Sequence, residues 1–159
     1  MLFQRDPSSE PSSAKSRTGY IITLADCPLI WKSQLQSEVS LSTLEAEYSA
    51  LSQSMRTLLP MRELLLEVSS SIRLPMALSS TIHCTVFEDN NGALILASEQ
   101  RLTSRTKYFQ VKWHFFWSHV KDGKVEVKRI DSSSQRADYL TKGLPRATFE
   151  HIRKLVQGW

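Results

Sequence analysis

The stretch Leu41-Ser42-Thr43-Leu44-Glu45-Ala46-Glu47-Tyr48-Ser49-Ala50-Leu51-Ser52 decides how the rest of the chain is read. It stands where strand-like residues give way to a long helical pattern. Ser42 or Thr43 can cap the free amides of a helix start, and Ser42 followed three residues later by Glu45 matches a capping box. Tyr48, Leu51, Met55, Leu58 and Leu59 then recur at helical spacing and should face a sheet. Pro60 lacks the amide a helix interior uses, so a kink or two abutting helices are expected there. Met61 to Val68 resumes the helix, and Ser69-Ser70-Ser71 with Leu74-Pro75 reads as a loop.

Working upstream, Ser16-Arg17-Thr18-Gly19 opens a strand over Tyr20 to Leu24, and Leu29 to Gln34 forms a second. Asp26-Cys27-Pro28 is the turn between them, which makes a hairpin. Gln36 to Ser42 reads as a third extended piece leading into the helix. Residues 1–15 are rich in Pro and Ser and read as a flexible lead-in, leaving 16–159 as one domain. Working downstream, Thr81 to Phe87 is a strand, and Glu88-Asp89-Asn90-Asn91-Gly92 ends it before a short helix over Ala93 to Ala97. A second long helix is expected from Lys107 to Lys121, closed by Asp122-Gly123. Val125 to Ile130 alternates as a strand. Ser132-Ser133-Ser134 caps a helix through Leu140, and Ala147 to Val156 is the terminal helix.

The 159 residues suit a single domain, and 41% of them are hydrophobic, enough for a core. No apolar run approaches the ~20 residues of a membrane span, and the start has no secretory pattern. Two distant cysteines, Cys27 and Cys84, disfavour a zinc site or a disulfide framework and fit an intracellular, reducing compartment, cytoplasmic or nuclear. Charge is uneven. Residues 1–100 carry 7 Lys and Arg against 11 Asp and Glu, whereas residues 101–159 carry 13 against 5. A basic C-terminal third suits a phosphate backbone, and an acidic body can hold cations. The plainer reading, a solvated basic surface, fits the charge equally well.

Three acids fall at comparable junctions. Glu47 lies in the first turns of the long helix, Asp89 at the end of a strand, and Asp138 near a helix start after the last strand. In an α/β sheet such positions converge on one crevice. Carboxylates gathered there suit Mg²⁺, and two such ions about 4 Å apart can drive phosphodiester hydrolysis. Singly, each acid is explained as well by the helix macrodipole. Glu45 and Glu47 lie on nearly opposite sides of the helix, so only one can enter a site. Glu45 better fits the capping role, though spacing alone leaves the assignment open.

Six motifs occur in order: Ser16-Arg17-Thr18-Gly19-Tyr20, Trp31-Lys32-Ser33-Gln34-Leu35-Gln36, Leu41 to Tyr48, Glu88-Asp89-Asn90-Asn91-Gly92-Ala93, Ser104-Arg105-Thr106-Lys107, and Ala137-Asp138-Tyr139-Leu140-Thr141-Lys142-Gly143-Leu144-Pro145. Together they resemble the ribonuclease H region of copia-type (Ty1/copia) retrotransposon polyproteins, over nearly the whole chain. The resemblance implies an α/β fold, a ribonuclease H-like mixed sheet with flanking helices. It implies Mg²⁺- or Mn²⁺-dependent hydrolysis of RNA in RNA–DNA hybrids, beside an upstream reverse transcriptase region. It maps three catalytic, metal-binding acids onto Glu47, Asp89 and Asp138.

Two departures stand out. The family's first acid ends a first, central strand upstream of the Ser-Arg-Thr-Gly-Tyr motif, and no residue here matches it. Asp6 lies in the Pro/Ser stretch and Asp26 in a hairpin turn. The domain is therefore expected to be incomplete, with its first strand missing and its nuclease activity weak or absent. Tyr108 also stands where the family usually has His, which removes a cation. A non-catalytic nucleic-acid-binding relic and a non-functional fragment are the competing expectations.

Basic and aromatic residues mix from Arg101 to Trp117. Arg101, Arg105, Lys107 and Lys112 are the candidate phosphate contacts. Phe109, Trp113, Phe116 and Val120 share a helical face and read as core. His114 and His119 are badly spaced for a metal and read as packing or surface residues, and Trp31 and Trp159 read as packing.

Overall fold

The computed structural model describes residues 15–72, 82–99 and 114–158. Their order is β1 (Arg17–Leu24), β2 (Cys27–Leu35), α1 (Thr43–Ser71), β3 (Cys84–Glu88), α2 (Asn91–Glu99), α3 (Trp117–Lys121), β4 (Val125–Arg129) and α4 (Arg146–Gln157). Two short 3-10 helices, Ser132–Ser134 and Arg136–Leu140, lie between β4 and α4. The architecture is mixed α/β, with two small sheets. β1 and β2 pair antiparallel, and β3 and β4 pair parallel. No helix among the described residues is long and apolar enough to cross a membrane.

The hairpin turns one step earlier than the sequence suggests. Ala25 and Asp26 form the turn at φ 49° and 62°, the left-handed region that a tight hairpin between right-twisted strands demands. Cys27 and Pro28 already belong to β2. Pro28 is tolerated because, among the described residues, β2 has one strand neighbour, β1, and the register shifts between Ile22 and Thr23. Thr18, Tyr20 and Ile22 alternate inward along β1 and are buried. The Tyr20 hydroxyl reaches Thr57 Oγ1 at 2.8 Å, which ties the hairpin to α1.

The expected third extended piece over Gln36 to Ser42 is not a strand. Gln36 donates its backbone amide to Ser16 O at 2.8 Å and so closes the β1–β2 ladder. Its buried side chain then donates to Ala46 O at 2.9 Å and to Thr18 Oγ1 at 3.2 Å, and accepts from Ser40 Oγ at 2.9 Å. One side chain thus diverts the backbone from pairing and fastens it to the helix start.

α1 begins where the capping pattern places it. Glu45 N donates to Ser42 Oγ at 3.1 Å, and Leu41 N donates to Glu45 Oε2 at 2.7 Å. The helix is not divided in two at Pro60, nor does it end before the serines. It is one element of 29 residues that contains Pro60 and the serines at 69–71. Pro60 is exposed, and the tertiary packing of the opposite face outweighs the amide it lacks. Tyr48, Leu51, Met55 and Leu59 form the buried stripe, with Leu58 packed beside it. They meet Ala93, Leu96 and Ala97 of α2, Phe116 at the head of α3, and Val125 of β4. A Cβ on Gly92 would stand 2.9 Å from Leu44 Cδ1, so the glycine after Asn91 lets α2 approach α1.

Phe116 is fully buried and Val120 packs against the core, as their helical spacing suggests; Phe109, Trp113 and Trp159 lie outside the described residues. Of the expected long helix, the described part is the short α3. The expected helix through Leu140 is instead the pair of 3-10 helices, separated at Gln135. Trp31 does not pack: it is 62% exposed on β2, most of whose residues are exposed.

Candidate carboxylate site

Three elements bring acids to one end of the molecule. α1 contributes Glu47, two residues past Glu45 and nearly opposite it around the helix. Glu45 is held at the helix cap, so the assignment that spacing left open is decided by position. Glu47 is half-buried.

β3 contributes two acids in succession. Glu88 is its last residue, on the inward side with Cys84 and Val86, and only 6% exposed. Asp89 follows it outside the strand. Asn90 shapes the exit: its amide donates to Glu88 Oε1 at 3.0 Å, and its Oδ1 accepts from Ala93 N at 3.0 Å, capping α2. The parallel register sets Glu88 opposite Arg129 of β4. The chain leaving β4 then passes Asp89, and Ser132 Oγ donates to Asp89 Oδ2 at 2.7 Å.

Asp138 lies on the second 3-10 helix rather than on an α-helix. Its backbone carbonyl accepts from Thr141 N and Lys142 N at 3.0 and 2.9 Å. Its Oδ1 accepts from Lys142 Nζ at 2.7 Å, with the two side chains 14% and 31% exposed. The hairpin fixes this segment. Gly19 faces Thr141 and Leu140 so closely that a Cβ there would collide with the Thr141 methyl and stand 3.2 Å from Ala137 O. Ser33 Oγ also donates to Leu140 O at 2.6 Å. Gln135 spans from this segment to β3, donating to Phe87 O at 3.3 Å.

The charge of Asp89 reaches both Glu47 and Asp138. Burial pushes the Glu47 carboxyl above the usual range, the charges of Asp89 and Asp138 add to that push, and Lys142 opposes it. Burial also raises Asp138, against the hydrogen bond and charge of Lys142. Glu88 is pushed up to about 8, chiefly by burial; its bond from Asn90 N opposes this, and the charges of Glu47, Asp89 and Asp138 reinforce it. The structure therefore brings Glu47, Asp89 and Asp138 within electrostatic reach of each other, with Glu88 behind them.

The donors are carboxylate oxygens, the ligands a hard divalent cation takes. Mutual repulsion among half-buried acids is the kind a cation relieves. Among the described residues, however, no group of three or more His, Cys, Asp or Glu side chains is placed to hold an ion ready-made. The set fits a divalent cation in charge and donor chemistry.

Glu88 and Lys142 were missed in the sequence. In the sequence Glu88 reads as part of the stretch that ends the strand, although strand parity with Cys84 and Val86 places it inward. Lys142 stands four residues after Asp138, but that spacing has meaning only once the segment is known to coil. Arg101, Arg105, Lys107 and Lys112 lie outside the described residues. His114 is a structural residue. Its Nδ1 lies 2.9 Å from the Tyr48 hydroxyl, its ring lies 4.1 Å from that of Trp117, and burial lowers its pKa.

Curated relatives match most of the chain. It is 30% identical over 151 residues to the retrovirus-related Pol polyprotein from transposon TNT 1-94 of Nicotiana tabacum. It is 31% and 32% identical, over 141 residues each, to those from transposons RE2 and RE1 of Arabidopsis thaliana. These alignments cover 95% and 89% of the chain but only 11% and 9% of the relatives. The chain thus spans about a tenth of their length, and the homology supports its origin in a retrotransposon Pol polyprotein. No family model matches the chain. No solved structure matches it significantly.

Proposed function

We propose that this chain is a piece of a copia-type reverse transcriptase/ribonuclease H polyprotein. In this reading it retains three carboxylates of a site that hydrolyses RNA in RNA–DNA hybrids. What carries the reading is that Glu47, Asp89 and Asp138, from three separate elements, lie near enough for the charges of Asp89 and Asp138 to act on Glu47. Relatives that are retrotransposon Pol polyproteins support it. The β1–β2 and β3–β4 pairs are then two parts of one ribonuclease H-like mixed sheet, whose central strand is not among the described residues. The reverse transcriptase region of the polyprotein is the covalent neighbour, and the setting is the cytoplasm or nucleus.

Glu47, Asp89 and Asp138 would hold Mg²⁺ or Mn²⁺, which supplies charge stabilisation and an activated water for phosphodiester cleavage. The chain's own residues orient the acids. Ser132 fixes one oxygen of Asp89, Lys142 fixes one of Asp138, and the Ser42–Glu45 cap keeps Glu45 away from the site. Turnover depends on how firmly these acids are held, because a loosened ligand set misplaces the attacking water.

One observation favours a second reading, a nucleic-acid-binding relic without cleavage. Lys142 already neutralises Asp138, and no three-acid set stands ready among the described residues. A labelled RNA–DNA hybrid incubated with the chain and Mg²⁺ or Mn²⁺ separates the two. The nuclease reading expects slow, metal-dependent cleavage that falls at least about a hundredfold in Asp89→Asn. Binding that weakens with salt, with no cleavage, selects the relic. Neither binding nor cleavage at low salt refutes both, and cleavage indifferent to Asp89→Asn refutes the site.

A further inference from the structure

We propose that Lys142 is a built-in counter-cation of the carboxylate cluster, whose ammonium occupies the Asp138 corner and sets how strongly the cluster takes a divalent cation. The inference rests on the reading of Glu47, Asp89 and Asp138 as a cation-binding set, and it adds a role for a residue outside that set.

The geometry is specific. Lys142 Nζ stands 2.7 Å from Asp138 Oδ1, a charge-assisted hydrogen bond at full strength. The pair is partly buried, at 31% and 14% exposure, so water screens it less than a surface ion pair. Its backbone frame is fixed as well, since Lys142 N donates to Asp138 O at 2.9 Å within the same turn. That turn is clamped to the hairpin by the Gly19–Thr141 contact and by the Ser33 to Leu140 bond. The ammonium is therefore carried on an anchored segment and is delivered to one chosen oxygen.

Its influence extends beyond its partner. The positive charge of Lys142 also reaches Glu47 on α1. On neighbouring β4, Arg129 donates to Asn91 Oδ1 at 2.8 Å and Lys128 pairs with Glu126 at 2.9 Å. Among the described residues, Lys142 is thus a cation bonded directly to the cluster, and its charge offsets the repulsion among the acids. A divalent cation seeking Asp138 Oδ1 meets an ammonium already there, and either displaces it or binds with one oxygen fewer. Both routes weaken binding. The same ammonium keeps the acids together when no divalent cation is present.

Titration of the folded chain with Mn²⁺, followed by calorimetry, tests this without reference to cleavage. Wild type, Lys142→Met and Lys142→Arg are compared, with Asp138→Asn as the site control. Lys142→Met should bind Mn²⁺ at least tenfold more tightly than wild type and, without Mn²⁺, melt several degrees lower. Added Mn²⁺ should recover that loss, and Lys142→Arg should behave as wild type. Binding by Lys142→Met alone, with none by wild type, also supports the inference. Lys142→Met binding no tighter than wild type overturns it and leaves the site standing. Binding by none of the three at millimolar Mn²⁺ overturns site and inference together. Should Lys142→Met fail to fold, Lys142→Gln carries the same comparison with a polar isostere of lower cost.

Discussion

The two sheets have two strands each, and they do different work. β1 and β2 are joined by a two-residue turn, so their pairing is local. β3 and β4 are parallel and pair Cys84 with Val125, which requires a crossover connection. The hairpin is largely exposed on β2 and supplies no acid to the site; it holds the segment that carries Asp138. The parallel pair supplies Asp89 and Glu88 and aims Ser132 at Asp89. Support comes from the locally determined part and chemistry from the non-local part, so substitutions in the two sheets should fail in different ways.

The largest difference in stability should appear at Glu88. Its folded pKa, about 8, lies above the ordinary 4.5, so the folded state binds the proton more tightly than the unfolded state. Stability from this group is full below pH 4.5 and is lost as pH rises through 8. Without divalent cation, Glu88→Gln should raise the unfolding free energy at pH 8 by on the order of 4 kcal/mol. It should also flatten the decline between pH 5 and 8 in denaturant titrations. An unchanged pH profile would remove Glu88 from the buried cluster.

Gly19→Val tests the hairpin as support. The new side chain meets the Thr141 methyl and the Ala137 carbonyl, and overpacking of this kind costs about 1–3 kcal/mol. Because the strain falls on the segment carrying Asp138, Mn²⁺ affinity should drop with stability. A variant that loses stability but keeps Mn²⁺ affinity would mean that β1 does not position Asp138.

Trp31→Ser should do least. At 62% exposure on an open face the ring contributes little, and stability should stay within about 0.5 kcal/mol of wild type. A larger loss, read by thermal melting, would mean that Trp31 is covered in solution and that the hairpin is more than a prop.

The cap at Ser42, the stripe from Tyr48 to Leu59 and the hairpin were legible because each depends on residues a few positions apart. The errors have local causes too. Gln36 spends its side chain on Ala46 O and Thr18 Oγ1 and so ends the extended path, which propensity does not reveal. Pro60 and the serines at 69–71 look like breaks, yet just past Pro60 the buried Arg62 donates Nε to Ile82 O at 2.9 Å, and Ser70 and Ser71 donate their hydroxyls back to Glu67 O within the helix. Trp31 reads as packing in the sequence, yet the 3-10 segment that meets Gly19 and Ser33 leaves the ring 62% exposed.

By itself, the sequence determined the broad alternation of strands and helices, the presence of the hairpin, and which acids stand at element junctions. Periodicity and capping act over one or two turns, and the chain records them directly. Only the tertiary structure decided that Glu47, Asp89 and Asp138 share one electrostatic neighbourhood, that Glu88 is buried behind them, and that Lys142 occupies Asp138. Those relations depend on the parallel register of β3 with β4 and on the hairpin clamping a 3-10 helix, contacts whose partners lie tens of residues apart.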